Sequence, residues 1–247
     1  MTEINENMRG IILAGGKGTR LLPLTKVTNK HLIPVGNKPM IEYPLETLIK
    51  IGIKDICVVT GIEHAGAIFS YLGSGSNYGV NFTYKIQDEA KGIAHALALA
   101  EDFAHAKKTA VILADNIFLY NFRQEAEEFL REKYSAMLFL KEVDDAKRFG
   151  VATVDLTARK IIAIEEKPQN PQSKLAVTGL YFYDNTVFDK IKPLALSKRG
   201  ELEITDVNNS YVLKGNTSYQ IILNWFDAGT HESREIAEEH IRRFNLK

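Results

Sequence analysis

With a single cysteine in 247 residues, no disulfide can form within the chain. Cys57 sits in the apolar run ICVVT and reads as a buried strand residue rather than a reactive thiol. Neither sign of charge is in excess. The 31 Lys plus Arg balance 31 Asp plus Glu, which gives no field-level case for a nucleic acid or an anionic membrane as partner. Any phosphate ligand must therefore be held by local groups. No stretch approaches the roughly 18 uninterrupted apolar residues of a membrane span, and the polar opening MTEINEN lacks the apolar centre of a signal peptide. A cytoplasmic protein with no membrane and no nucleic-acid partner is expected. Internal repeats and low-complexity linkers are missing too.

What is present is enough apolar sequence, 45% of residues, for one large core or two joined halves. Residues 1–7 read as a loose extension and residues 8–247 as one domain. From residue 9 to residue 116, β-branched runs alternate with helical patterns: GIILAGG, PMIEYPLETLIKIG, DICVVTG, HAGAIFSYLG, VNFTYKIQ, GIAHALALAEDFA and TAVILADN. That alternation predicts an α/β, Rossmann-like, mostly parallel sheet flanked by helices. Ligands of such sheets collect at the strands' carboxyl ends, where strand order reverses. After FRQEAEEFLREK the rhythm becomes strand-rich, in SAMLFLKEV, GVATVD, KIIAIEEKP and LAVTGLYFYD. ELEITDVNNSYVLKG then reads as a helix and SYQIILNWFDAG as strand and turn. A first half over about 8–120 is thus expected to pass into a mixed half over about 121–247 that continues the same sheet.

The first strand empties into AGGKGTRLLPLTK, a glycine-rich basic loop. It fits neither G-x-x-x-x-G-K-[ST] nor G-x-G-x-x-G, and Pro23 argues against a helix opening in the loop itself. Gly15, Gly16 and Gly18 allow backbone N–H groups close to a polyphosphate, while Lys17, Arg20, Lys26 and Lys30 supply positive charge.

The run GGKGTRLLPLTKVTNKHLIPVGNKPMI resembles the signature of the sugar-nucleotide pyrophosphorylases, nucleotidyltransferases that join a nucleoside triphosphate to a sugar 1-phosphate. KIQDEAKGIAHA, LADNIF, RFGVA, IEEKP, AVTGLYFYD, RGELEITD and WFDAGT extend the resemblance to about residue 240 and toward the glucose-1-phosphate thymidylyltransferase branch. The resemblance implies a nucleotide-binding first half and a sugar-binding second half. It also implies dTTP and glucose 1-phosphate as substrates, dTDP-glucose and pyrophosphate as products, and Mg²⁺ as cofactor. UTP or another sugar 1-phosphate is the alternative, and a non-catalytic nucleotide-sugar-binding regulator a remote one. A homo-oligomer, dimer or tetramer, is implied too.

Such a transfer needs two polyanions brought into line and charge neutralised on the leaving group, rather than a strong base. Asp115 in LADN and Asp227 in WFDAGT each follow an apolar run, and the resemblance implies that this pair holds the metal. Arg20 suits the triphosphate because its fork directs several donors, with Lys30 as a second phosphate contact. By the same resemblance Lys167 holds the sugar phosphate and Glu166 accepts from sugar hydroxyls. The resemblance further implies that Gly150, Val177, Tyr181 and Glu201 line the sugar pocket and that Leu13, Gly15, Gly16, Gly18, Thr19, Arg20 and Asp115 contact the nucleotide. Gln87 and Gly92 are expected at the base, where an amide can donate and accept at once.

Ala114 stands where the family motif has glycine, and its methyl is expected near the nucleotide. His31 and His95 stand where glutamine is expected, and His31 reads as packed or solvent-exposed rather than phosphate-facing. Longer relatives carry a further C-terminal helical portion that helps form an allosteric product site. A chain ending at Lys247 is expected to lack that site or to have it in reduced form.

Overall fold

The computed structural model describes residues 3–245. The chain opens with helix α1 (Glu3–Asn7), strand β1 (Met8–Ala14) and a two-stranded ribbon, β2 (Pro34–Val35) with β3 (Lys38–Pro39). Next come α2 (Glu42–Ile51), β4 (Asp55–Gly61), α3 (Ala65–Leu72), β5 (Asn81–Gln87), α4 (Ile93–Ala98), α5 (Glu101–Ala104), β6 (Lys108–Leu113) and β7 (Asn116–Phe118). The second half runs through α6 (Arg123–Arg131), β8 (Ala136–Glu142), β9 (Gly150–Asp155), β10 (Lys160–Glu166), β11 (Leu175–Tyr183), α7 (Val187–Ile191), α8 (Ile204–Val212), β12 (Thr217–Ile221), β13 (Trp225–Asp227) and α9 (His231–Asn245).

One sheet carries both halves. Its path is β10-β9-β11-β6-β1-β4-β5, with β8 paired to β11 and β12 paired to β8. β1 lies parallel between β4 and β6, and β5 is parallel to β4. β11 joins the second half to the first by antiparallel pairing with β6. MRGIILA is buried at almost every position because helices cover both faces of the sheet. The two large apolar clusters are those two faces: Ile12, Val58 and Ile112 point into one, Ile11, Cys57 and Val111 into the other. Cys57 is buried as expected, and burial pushes its thiol up to about 12. Among the described residues no helix is long and apolar enough to cross a membrane.

The expected loose extension is corrected over residues 3–7. These form α1, with Ile4 only 2% exposed inside the first cluster, and Asn5 Oδ1 accepts from the Lys54 N–H at 2.9 Å. Met1 and Thr2 lie outside the described residues. One isoleucine in a polar run shows no period, so nothing in the local pattern signals that its burial anchors the segment. Ile4→Ala is expected to cost about 2 kcal/mol in denaturant unfolding; a loss within experimental error would return the segment to an appendage.

As Pro23 foreshadows, no α-helix opens in the glycine-rich loop. It makes three single 3₁₀ turns, Thr19–Leu21, Leu24–Lys26 and Lys30–Leu32, before α2. TAVILADN does not run as one strand. β6 stops at Leu113, and β7 leaves to pair antiparallel with β13, opposing Asn116 to Asp227.

Candidate active site

A cavity of about 390 Å³ opens at the carboxyl ends of β1 and β6, where strand order reverses. Its wall includes Leu13, Gly15, Gly16, Arg20, Lys30, Gln87, Gly92, Asp115, Gly150, Glu166, Lys167, Val177, Tyr181, Glu201 and Asp227. These residues are scattered along nearly the whole chain, and the sheet brings them to one rim. Gly18 and Thr19, expected at the nucleotide, are not on that wall.

The acid pair is assembled by the small β7–β13 ribbon rather than by the main sheet. The Ala228 N–H donates to the Asp115 carbonyl at 2.9 Å, tying the two chain segments together. A methyl built on Gly229 would lie 3.0 Å from Asp227 Oδ1, 3.2 Å from Arg20 Nη2 and 3.4 Å from Asp115 Oδ2. Both carboxylates and the guanidinium therefore converge on one point. Asn116 is the hub beneath them: its Nδ2 donates to Asp115 Oδ1 at 3.0 Å, and its Oδ1 accepts from Trp225 Nε1 at 2.6 Å and from the Gly179 N–H at 2.9 Å.

The two acids titrate in opposite directions. Burial works against the Asp115 charge, but Lys30 Nζ at 2.7 Å and the Asn116 amide more than offset it, holding the carboxyl below the usual range. Burial and then the neighbouring Asp115 charge push Asp227 up, against Arg20, Lys30 and Arg148. Two desolvated carboxylates with incomplete compensation make a donor set of hard oxygens that suits a divalent cation. Among the described residues no group of three or more His, Cys, Asp or Glu could hold a metal. Further ligands at this pair would have to come from substrate phosphates and water.

Within the loop, Gly16 and Gly18 take φ of 94° and 64°. A methyl on Gly18 would come within 2.8 Å of Thr25 Cγ2 and 2.9 Å of Lys30 Cβ. Gly18 thus lets the loop fold under Lys30, off the cavity wall, and Thr19 starts the 3₁₀ turn that presents Arg20. Lys30 Nζ stands 3.9 Å from the methyl position of Gly16, between loop and acid pair.

Elsewhere on the wall, β10 delivers Glu166 and Lys167. Glu166 Oε2 accepts from Thr205 Oγ1 at 2.6 Å and Oε1 from Arg199 Nη2 at 3.2 Å. Lys167 turns into the left-handed region, φ 45°, at the end of the strand, with its N–H donating to the Phe149 carbonyl at 3.0 Å. A non-glycine residue in that conformation carries strain of a kind that gathers at functional sites. Gly150 is the near wall: its methyl position is 3.1 Å from Thr205 Oγ1. Val177 flanks an irregularity in β11, where pairing with β8 slips between Val177 and Tyr181. Tyr181 is buried and stacks on Tyr183, ring centroids 5.7 Å apart. Glu201 lies 3.3 Å from Arg199.

Gln87, 5% exposed, ends β5. Its Nε2 donates to the Gly92 carbonyl at 3.2 Å and pairs with His95 Nδ1 at 2.9 Å. The expectation that this amide both donates and accepts toward a base is corrected: both amide hydrogens are engaged within the chain. Gly92, φ 99°, is pinned by packing, because a methyl there would lie 2.5 Å from the Leu202 carbonyl oxygen.

The departures from the family motif divide. Ala114 is fully buried in the first core cluster and is not on the cavity wall, which corrects the expectation of a methyl near the nucleotide. His31 is packed, with Nδ1 2.9 Å from Asn29 Oδ1. Burial and then Lys30 push its imidazole down to about 3, so it is neutral. Sequence reasoning missed Asn116, Arg148 and Arg199 on the wall. Arg148 Nη2 is 3.8 Å from Asp227, and Arg199 reaches Glu166, Glu201 and Glu203. Both arginines sit inside quoted motifs, RFGVA and RGELEITD, but no local pattern separates them from solvated charges.

The cations on the wall, Arg20, Lys30, Arg148, Lys167 and Arg199, are matched by Asp115, Asp227, Glu166, Glu201 and Glu203. A near-neutral cavity of this kind takes polyanions only by exchanging its internal ion pairs for ligand contacts or by gaining a cation.

The nucleotidyl transferase family model matches residues 9–243. A glucose-1-phosphate thymidylyltransferase of Neisseria meningitidis is 43% identical over 239 residues, covering 95% of this chain and 83% of its own. One from Mycolicibacterium smegmatis is 42% identical, covering 97% and 84%. Among solved structures, a Bacillus anthracis protein provisionally named a glucose-1-phosphate thymidylyltransferase and crystallised with sucrose superposes with a TM-score of 0.90, at 53% identity and 95% coverage of each chain. With its sheet, its rim of converging charges and these matches over nearly all of the residues given, the chain belongs to the nucleotidyl transferase family, among the glucose-1-phosphate thymidylyltransferases.

Proposed function

We propose that this chain makes dTDP-glucose and pyrophosphate from dTTP and glucose 1-phosphate. A phosphate oxygen of the sugar ester forms a bond to the α-phosphorus as the bond from that phosphorus to the bridging oxygen breaks, and pyrophosphate leaves with the electron pair. The observation that carries the reading is the convergence of Asp115, Asp227 and Arg20 on one point of a cavity whose wall also holds Lys167. Asp115 and Asp227 would hold Mg²⁺, which when bound neutralises triphosphate charge and polarises phosphoryl oxygens.

The chain's own groups do the remaining work. Arg20 and Lys30 bind the outer phosphates and stabilise charge on the departing pyrophosphate. Lys167 lowers the cost of bringing one anion to another. Glu166, held on both oxygens by Thr205 and Arg199, is oriented to accept from sugar hydroxyls. The first half, about 8–120, takes the nucleotide and the second, about 121–247, the sugar phosphate. The reading extends to a cytoplasmic homo-oligomer, dimer or tetramer.

The test is pyrophosphate release across dTTP, UTP and several sugar 1-phosphates, with and without Mg²⁺. The expected result is turnover of dTTP with glucose 1-phosphate that chelation abolishes. Lys167→Gln should raise KM for glucose 1-phosphate roughly tenfold or more while leaving KM for dTTP near wild type. Preference for UTP or another sugar would reassign the substrate, and no turnover anywhere in the panel would replace an enzyme with a nucleotide-sugar-binding regulator.

A further inference from the structure

The geometry points to His95 as a positioning residue that sets base specificity. We infer that it locks the Gln87 amide with its carbonyl oxygen outward, so that the pocket selects a pyrimidine presenting a ring N–H over one presenting a ring acceptor. The inference rests on the nucleotide-binding reading above.

The Gly92 carbonyl can only accept, so the end of the Gln87 amide 3.2 Å from it must be Nε2. That carbonyl is held in place by packing and neighbouring hydrogen bonds. Gly92 has φ 99° and is clamped against Leu202, whose N–H donates to the Lys91 carbonyl at 2.8 Å and whose carbonyl accepts from the Ala94 N–H at 3.2 Å. The second Nε2 hydrogen then meets His95 Nδ1 at 2.9 Å, which requires that Nδ1 accept and that the ring proton sit on Nε2. With both hydrogens engaged, Gln87 offers only Oε1 to a ligand. Oε1 lies 2.7 Å from where a Gly15 methyl would stand and accepts no hydrogen bond among the described residues. Glycine at position 15 leaves room for that orientation.

Thymine and uracil carry N3–H and satisfy Oε1. Cytosine carries a lone pair at N3 and sets acceptor against acceptor. Without the His95 acceptor, the amide retains a single internal hydrogen bond through Nε2, and its second hydrogen no longer has a partner. Glutamine in place of His95 would offer an acceptor through its own side-chain oxygen, whereas an apolar ring of similar size would not.

The experiment compares dTTP with dCTP, each with glucose 1-phosphate, in wild type, His95→Phe and His95→Gln. Calorimetric binding of dTMP and dCMP to the same proteins is measured in parallel, with thermal unfolding as a check on folding. His95→Phe is expected to lower the dTTP over dCTP preference in kcat/KM roughly tenfold, mainly through a higher KM for dTTP, and His95→Gln to restore it. Equal losses for both nucleotides, or an unchanged preference, would overturn the assignment. If wild type turns over neither nucleotide, the enzyme reading fails separately, and the dTMP over dCMP binding ratio still decides the role of His95.

Discussion

Asp227→Asn is expected to lower kcat by roughly a hundred- to a thousandfold while raising the melting midpoint at neutral pH. The first effect follows from removing one of two hard oxygen donors where several kcal/mol of charge stabilisation is needed. The second follows from the direction of its titration. Burial, then Asp115, raise the folded-state pKa of Asp227 above its unfolded value. The folded protein therefore holds that proton more tightly than the unfolded chain, and the stabilisation associated with it is full below the unfolded pKa and lost as pH rises through the folded one. At neutral pH the ionised side chain is a net cost, which the uncharged amide removes. The gain should accordingly shrink as pH is lowered through the folded-state value. Asp115 has the opposite sign: its depressed pKa gives stability present above the unfolded value and lost on acidification. Steady-state kinetics and melting curves over a pH series check both effects. An Asp227→Asn variant that melts lower than wild type at neutral pH would contradict the assigned electrostatics, and one that keeps kcat within tenfold would remove the metal pair. A residue that costs stability where it serves chemistry is a common trade in active sites.

Gly179→Ala is expected to destabilise the fold by about 3 kcal/mol, the upper range for forcing a methyl into a packed core. In a chain of this length that lowers the melting midpoint by roughly 6–12 °C. The added methyl would lie 2.5 Å from Asn116 Oδ1, 2.6 Å from its Cγ and 2.8 Å from Leu113 Cδ1. Asn116 cannot swing aside freely, because Trp225, Gly179 and Asp115 hold it from three directions. Any shift it makes is passed to Asp115, so activity should fall together with stability. Gly66→Ala is the control. It lies in α3 with nothing within 4 Å of the new methyl, and should stabilise by about 0.5–1 kcal/mol through helix propensity. Melting curves of the two variants with opposite signs would support the steric argument; a Gly179→Ala protein as stable as wild type would refute it.

The alternation of β-branched runs and helical patterns placed β1, α2, β4, α3, β5 and β6 close to where they stand, since both-face burial of a parallel sheet leaves continuous apolar runs. The short elements were not legible, among them α1, β7, the β2–β3 ribbon and α7. α1 depends on one buried isoleucine in a polar segment, and β7 is a short strand whose partner, β13, comes near the far end of the chain. Local propensity carries no information about either.

The residue types needed for phosphate chemistry could be read from the amino-acid order alone: a glycine-rich basic loop, aspartates after apolar runs, a lysine ending a charged strand. The alternation of apolar runs and helical patterns also determined the fold class, because hydrophobic period depends on near neighbours. The tertiary structure alone decided which of those charges meet. It turned Gly18 inward under Lys30, buried Ala114 in the core, brought Arg148 and Arg199 to the wall, and committed both hydrogens of Gln87 to Gly92 and His95. The reason is physical. Side-chain direction, desolvation and hydrogen-bond saturation are set by atoms distant in sequence and adjacent in space, and no local pattern encodes them.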